Sequence, residues 1–382
     1  EKPVSPLPRP GYLPSMSSAP TTRHVVHFRP ATALADLPEE GTALVVTSPP
    51  YPMIEMWDNS FGDQDERIGD ALRQEQGEAA FALMHQLLDR VWGEVARVLA
   101  PGGIACVNIG DAARSIGSGF RLFPNHARVI DAFLRLGLHN LPNIIWRKPT
   151  NAPNKFMGSG MLPPGAYVTL EHEYILIFRK GDKRVFRSPD EQRRRAESAI
   201  FWEERNRWYS DVWSDLTGAP QKLASAARSR SGAFPFELAW RLVNMFSIKG
   251  DVVLDPFVGT GTTLLAAAAN ERHSIGYEIE FGLRPALLRQ LGETPGVSRQ
   301  VLRERIERHL ALVGRRTAEG KPPTFTVSRH GWPCVSRQET GMVLRPAASV
   351  RPFSEETTAL SVQWEVSYGE IGPGEQVEMP LA

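Results

Sequence analysis

Asp251-Val252-Val253-Leu254-Asp255-Pro256-Phe257-Val258-Gly259-Thr260-Gly261-Thr262-Thr263 reads as a short apolar strand, a glycine-rich turn and the opening of a helix. Such a turn lets a ligand come close to the backbone and meet the amides at a helix N-terminus. The helix is expected to run from Thr262 through Leu264-Leu265-Ala266 toward Asn270. A second strand, Ser274 to Tyr277, follows and delivers Glu278, an acid placed to accept hydrogen bonds from ribose hydroxyls. Leu264 stands where a third glycine would complete Gly-x-Gly-x-x-Gly, and no pyrophosphate grip is evident. A nucleoside without phosphates fits this turn better than a dinucleotide. A tight turn holding no ligand remains open from this segment alone.

Working outward, short apolar runs bounded by turn residues predict buried strands at His24–Phe28, Ala43–Val46, Ile104–Ile109, Asn143–Trp146 and Tyr174–Phe178. Phe81, Met84, Leu88, Val91, Val95 and Val98 recur at steps of three and four, one stripe of an amphipathic helix that Pro101-Gly102-Gly103 should end. Another helix is expected to open at Pro235 and to carry Leu238, Leu242, Met245 and Phe246 on one side. Strands alternating with helices define an α/β fold with a mostly parallel sheet.

The second informative stretch is Thr47-Ser48-Pro49-Pro50-Tyr51, which follows the strand ending at Val46. Two prolines cannot continue a sheet ladder, so the chain turns out rigidly at the strand's C-terminal end, the edge where parallel sheets bind ligands. An aromatic amino group is a poor nucleophile because its lone pair is delocalised into the ring. Two acceptors on its N–H groups favour a tetrahedral nitrogen, and the Ser48 hydroxyl and the Pro49 carbonyl are such a pair, with Tyr51 able to stack on the ring. Loss of a proton from the methylated, briefly cationic nitrogen demands no strong base, which agrees with a serine in place of a carboxylate.

Together these segments resemble a known family. Thr47-Ser-Pro-Pro-Tyr51 resembles motif IV of the DNA amino-methyltransferases, and Asp255-Pro-Phe-Val-Gly-Thr-Gly-Thr-Thr263 their motif I. Gly232-Ala233-Phe234-Pro235-Phe236-Glu237-Leu238 is similar to motif X, and Gly276-Tyr277-Glu278 to motif II; the likeness spans roughly residues 22 to 311. The catalytic motif precedes the cofactor motif, as in the circularly permuted beta class. The resemblance implies a Rossmann-like S-adenosylmethionine-dependent methyltransferase fold, mostly parallel with an antiparallel strand, plus an inserted recognition region and a C-terminal extension. It implies site-specific methylation of double-stranded DNA with S-adenosyl-L-methionine as cofactor. Ser-Pro-Pro-Tyr in that family accompanies cytosine N4 methylation. Carried over, Ser48, Pro49, Pro50 and Tyr51 form the catalytic loop, and Phe234, Pro235, Asp255, Phe257, Gly259, Gly261, Thr262 and Glu278 surround the cofactor. A Gly-Asp pair often follows the family's first strand; here Phe28-Arg29-Pro30-Ala31 stands there, so no adenine contact is assigned. Adenine N6 methylation by the same machinery and a non-catalytic DNA-binding relative are the alternatives.

The 382 residues divide into a disordered lead-in (1–21), a catalytic domain (22–316) and an extension (317–382) that could be a small β module. The lead-in is rich in proline and serine and has no apolar core of a signal peptide. Within the catalytic domain, residues 182–232 are rich in arginine and tryptophan. Arg193, Arg194, Arg195, Arg205, Arg207, Arg228 and Arg230 are the candidate DNA contacts there. The competing reading is a solvated charged helix with its tryptophans in the core, because Asp190, Glu191, Glu203 and Glu204 are interleaved. Residues 58–76 are a candidate mobile loop over the base. A net charge of +1, from 44 Lys+Arg against 43 Asp+Glu, is not that of a small basic DNA-binding module. Only Cys106 and Cys334 are present, which argues against disulfides and a zinc site and fits a cytoplasmic setting. Pro333-Cys334 could suggest a cytosine-C5 nucleophile, but it lies far from both motifs and reads as structural. No apolar run is long enough for a membrane span, and a homodimer is allowed.

Overall fold

The computed structural model describes residues 20–117, 119–148, 157–216, 234–352 and 361–371. Its frame is an eleven-stranded sheet. The strands are β1 (Thr21–His27), β2 (Thr42–Thr47), β3 (Leu99–Ile109), β4 (Leu138–Asn140), β5 (Ile144–Arg147), β6 (His172–Lys180), β7 (Val212–Trp213), β8 (Val252–Asp255), β9 (His273–Tyr277), β10 (Ala347–Pro352) and β11 (Ser361–Tyr368). Across the sheet they run β7-β5-β6-β3-β2-β8-β9-β1-β11-β10, with β4 pairing β6 off this path. Neighbours from β3 through β2, β8 and β9 to β1 are all parallel. β6 is antiparallel to both β3 and β5. This is the mostly parallel α/β sheet with an antiparallel strand that the sequence leads one to expect.

The principal helices are α1 (Gly77–Val98), α2 (Asn125–Arg135), α3 (Pro189–Glu197), α4 (Trp202–Trp208), α5 (Phe236–Phe246), α6 (Thr262–Ala268) and α7 (Thr294–Ala318). Alternate strand residues feed opposite cores, because successive side chains point to opposite faces. Val45, Ala105 and Val107 pack with the stripe Met84, Leu88, Val91 and Val95 of α1. Leu44, Val46 and Cys106 pack with Leu238, Ala239 and Leu242 of α5 and with Ala266 and Ala267 of α6. Each fully buried large side chain in such layers contributes about 1.5–3 kcal/mol. α1 ends at Val98, before Pro101-Gly102-Gly103, because the chain passes directly into β3 and Leu99 already pairs with Thr42. Pro235 is the residue before α5, at φ −65°, which sets up the first turn.

The structure corrects two sequence expectations. The described strands after 317 that join the sheet do not stand apart as a β module: β11 pairs with β1 from Thr21↔Ser367 to His27↔Ser361, and β10 pairs with β11. Without β11, β1 would be an open sheet edge, and Val362, Trp364 and Val366 would lose their buried packing. Residues 58–76 are not an open loop either. They form helices Asp58–Gly62 and Glu66–Arg73, whose Phe61, Ile68 and Ala71 are buried against the α1 layer.

The described part of the arginine- and tryptophan-rich insertion, residues 182–216, is woven into the body. β7 extends the sheet beside β5, and Trp208 and Trp213 are buried. A capping box of Ser188 and Glu191 starts α3. α4 is fixed to α7 by Arg305, which donates from Nε and Nη2 to Glu204 at 2.5 and 2.7 Å, both residues buried. One turn further along α7, His309 bonds Glu203 at 2.9 Å and the Pro333 carbonyl at 2.8 Å. Burial works against charge on this imidazole, but the Glu203 carboxylate outweighs it and raises the pKa. Arg305→Ala would leave Glu204 buried without its cation, with only the Phe201 amide still donating to it, so a loss of about 3–5 kcal/mol is expected. An unchanged melting temperature for that variant would refute the assignment. Among the described residues no helix is long and apolar enough to cross a membrane.

Candidate active site

β2 and β8 are parallel neighbours, with Leu44 opposite Val253 and Val45 opposite Leu254. The catalytic loop and the glycine-rich turn therefore leave the sheet at the same edge, side by side. The Thr47 hydroxyl donates to Asp255 Oδ1 at 2.6 Å, and the Phe257 amide donates to the same oxygen at 3.0 Å. From α6, the Thr263 hydroxyl donates to the Val46 carbonyl at 3.1 Å. Asp255 is buried and serves as the joint between the two motifs. Burial pushes its carboxyl up to about 6, against the pull of Thr47 and the Phe257 amide.

On the cofactor side, Gly259 and Gly261 take φ of +56° and +95°, values that disfavour any side chain. Phe257 lies edge-on to Trp92 at 5.9 Å, closing the floor of the turn. The Gly259 amide donates to Glu278 Oε2 at 2.7 Å, and the Glu280 amide to Oε1 at 2.7 Å. Burial pushes the Glu278 carboxyl up to about 7, although these two amides favour its ionised form. Phe234, just before α5, is buried in the same core cluster as Leu44 and Val46 of β2. Arg29, where the family's acid would stand, pairs with Asp36 and lies over the Tyr277 ring.

On the catalytic side, Pro49 is buried, and Ser48, Pro50 and Tyr51 are half-buried. The Ser48 hydroxyl lies 3.1 Å from the Tyr51 hydroxyl, which bonds Glu173 Oε2 at 2.9 Å. Asn108 Nδ2 donates to Tyr51 at 2.8 Å and to Glu173 at 2.6 Å, and Lys148 Nζ reaches Glu173 Oε1 at 2.5 Å. Burial and the Glu173 charge hold the Tyr51 phenol well above its ordinary pKa, so it stays protonated. The ring lies against Gly110, where an added Cβ would come within 3.1 Å of Tyr51 Cε2. Asn125, first residue of α2, clamps the loop by donating to the Pro52 and Gly110 carbonyls, each at 3.0 Å.

Sequence reading missed Thr47, Asn108, Lys148 and Glu173 as site residues. Glu173 and Asn108 carried a signal: each is a polar residue at the end of an otherwise apolar strand that closes on the ligand edge. Of the candidate DNA contacts, Arg193 is committed to Asp190 and Glu197, Arg194 to Asp190, and Arg207 to Asp215 and Glu237. Arg195 and Arg205 are exposed, over the rings of Phe186 and Tyr209. Arg228 and Arg230 lie outside the described residues. Cys106 and Cys334 are both buried, and burial pushes the Cys334 thiol up to about 11.

A parallel sheet with a glycine-rich turn and an acid at the end of the next strand, beside a Ser-Pro-Pro-Tyr loop, defines an S-adenosylmethionine-dependent methyltransferase. The hydroxyls of Thr260 and Thr262 suit a polar ligand at the turn, since both are buried without a partner among the described residues. Residues 42–284 match the DNA methylase family of N6/N4 methyltransferases, and the chain belongs to that family. It is 45% identical to the type II methyltransferase M.MthZI of Methanothermobacter thermautotrophicus over 94% of this chain and 99% of that one. It is 49% identical to the type II methyltransferase M.MjaI of Methanocaldococcus jannaschii over 72% of this chain and 94% of that one. Among solved structures it is similar to TTHA0409 of Thermus thermophilus, solved in complex with S-adenosyl-L-methionine. That likeness has 34% identity and a TM-score of 0.56, covering 71% of this chain and 94% of that one.

Proposed function

We infer that this DNA methyltransferase acts on cytosine N4 in double-stranded DNA, after the target base has been flipped out of the helix. The observation that carries the reading is Ser48: a neutral hydroxyl, in place of a carboxylate, stands in the loop joined to the cofactor turn through Thr47 and Asp255. In this reading Ser48 Oγ and the Pro49 carbonyl accept the two amine hydrogens and Tyr51 stacks on the ring. Phe234, Pro235, Asp255, Phe257, Gly259, Gly261, Thr262 and Glu278 surround the cofactor, and Asp255 also orders the turn through Oδ1. When bound, the cofactor supplies an electrophilic methyl on a sulfonium. Ser48, Pro49 and Tyr51 would hold N4 in line with that methyl, and the proton the nitrogen gives up after transfer would pass to water, since no carboxylate of the loop faces the amine. The chain order of the two motifs supports a circular permutation, because β8, which follows β2 by some 200 residues, is its sheet neighbour. Likeness to type II methyltransferases supports a place as the modification arm of a restriction system. Among the described candidate arginines, Arg195 and Arg205 are exposed with no acidic partner and are the ones placed to reach DNA. The test is nucleoside mass spectrometry of unmethylated DNA treated with the enzyme and cofactor. N4-methylcytosine is expected; N6-methyladenine as the product would overturn the assignment.

A further inference from the structure

The geometry points to Glu173 as a positioning residue that, through Tyr51, sets the direction of the Ser48 hydrogen bond and so makes Ser48 an acceptor toward the target amine. It rests on the role given to Ser48 above and assigns a residue outside that loop to the same reaction.

The direction follows from which groups own hydrogens. A carboxylate only accepts, so across the 2.9 Å contact the Tyr51 hydroxyl donates to Glu173. Asn108 could in principle present either end of its amide. Glu173 Oε2 at 2.6 Å admits only the Nδ2 end, which therefore also donates to the Tyr51 oxygen at 2.8 Å. With its own hydrogen committed, the Tyr51 oxygen can only accept from Ser48, 3.1 Å away. The hydroxyl hydrogen of Ser48 thus points into the protein, and its lone pairs are left for the substrate. An exocyclic amine brings hydrogens and needs an acceptor. A ring carbonyl at the same position would need a donor and finds none at Ser48. Lys148, at 2.5 Å from the other carboxylate oxygen, holds Glu173 in place. The network links β2, β3 and β6 across the sheet edge, so its polarity is built into the fold.

A double-mutant cycle of Glu173→Gln and Tyr51→Phe tests this on the full chain, with unmethylated genomic DNA and tritiated S-adenosylmethionine. An amide at position 173 offers one acceptor where the carboxylate offers two, and the Lys148 ammonium, the one cation among its partners, claims it; the NH2 then faces Tyr51 and Asn108, both donors, and the chain of directions breaks. Glu173→Gln is expected to lower kcat roughly 100-fold, with cofactor affinity and the KM for DNA near those of the parent. In the Tyr51→Phe background the same substitution is expected to change kcat by less than about threefold, because no hydroxyl remains to transmit it. Equal losses in both backgrounds would make Glu173 a merely structural or independent residue and overturn the proposal; so would a Glu173→Gln enzyme as fast as the parent. Cofactor binding by each variant reports folding separately. Total methyl transfer is the readout, so a product other than N4-methylcytosine would fail the reading of the target base without touching this one.

Discussion

Ser48→Ala is expected to lower kcat roughly 100- to 1,000-fold, the scale of losing one pre-oriented hydrogen-bonding group at a reacting centre. The reason is differential. A planar amine in the ground state binds an acceptor weakly, whereas the tetrahedral nitrogen of the transition state carries growing positive charge and binds it strongly. Cofactor affinity should stay close to that of the parent, because Ser48 lies on β2's exit while the cofactor turn leaves β8. Thr47, which holds the two turns together, is untouched by the change. Single-turnover methyl transfer with saturating DNA, beside equilibrium cofactor binding, separates the two quantities. A variant that loses cofactor affinity in parallel with rate would show that Ser48 shapes the cofactor site and does not act on the amine. A variant with unimpaired rate would remove Ser48 from the mechanism.

What the sequence alone discloses follows from short-range physics. Every strand of the central sheet that lines the site was legible, since buried parallel strands are apolar runs whose ends are marked by turn residues. The two ligand turns were legible for a related reason: Pro49-Pro50 and Gly259-Thr260-Gly261 constrain the backbone through their own residues. Asp255 was assigned to the cofactor, and its Oδ1 also takes Thr47 and the Phe257 amide, a second role that a bond across 208 residues leaves without trace in spacing. Glu173, Asn108 and Lys148 were missed on the same ground, because their meeting at Tyr51 depends on β6 and β3 pairing antiparallel, Tyr174 opposite Ile109. The arginine-rich stretch misled in the opposite direction. Its acids lie three and four residues from its bases, so Arg193 and Arg194 pair along α3 before any partner arrives. The extension after 317 lacked the helical period, but nothing local could say that it would close the β1 edge.

Glu278→Ala is expected to weaken cofactor binding about 100-fold, while the rate at saturating cofactor falls far less. A charged acceptor is worth about 1.5–3 kcal/mol per hydrogen bond, and loss of one or two such bonds to ribose hydroxyls amounts to about 3 kcal/mol. The Gly259 amide would also lose its acceptor, loosening the turn that the same ligand must meet. The parent enzyme should show a matching dependence on pH. Burial raises the Glu278 carboxyl to about 7, above its ordinary range, so a large fraction is protonated near neutrality. The ligand hydroxyls favour the carboxylate, and binding therefore pulls the equilibrium toward the ionised form. The sign is fixed: affinity is highest above a pH of about 7 and falls as pH drops through that value, with a proton released on binding in the lower range. Titration calorimetry in buffers of different ionisation enthalpy detects that proton directly, and in Glu278→Ala both the proton and the pH slope should vanish. Unaltered cofactor affinity after the substitution would place the ribose elsewhere, and an unaltered slope would assign the titration to another group, with Asp255 at about 6 the nearest carboxyl of comparable range.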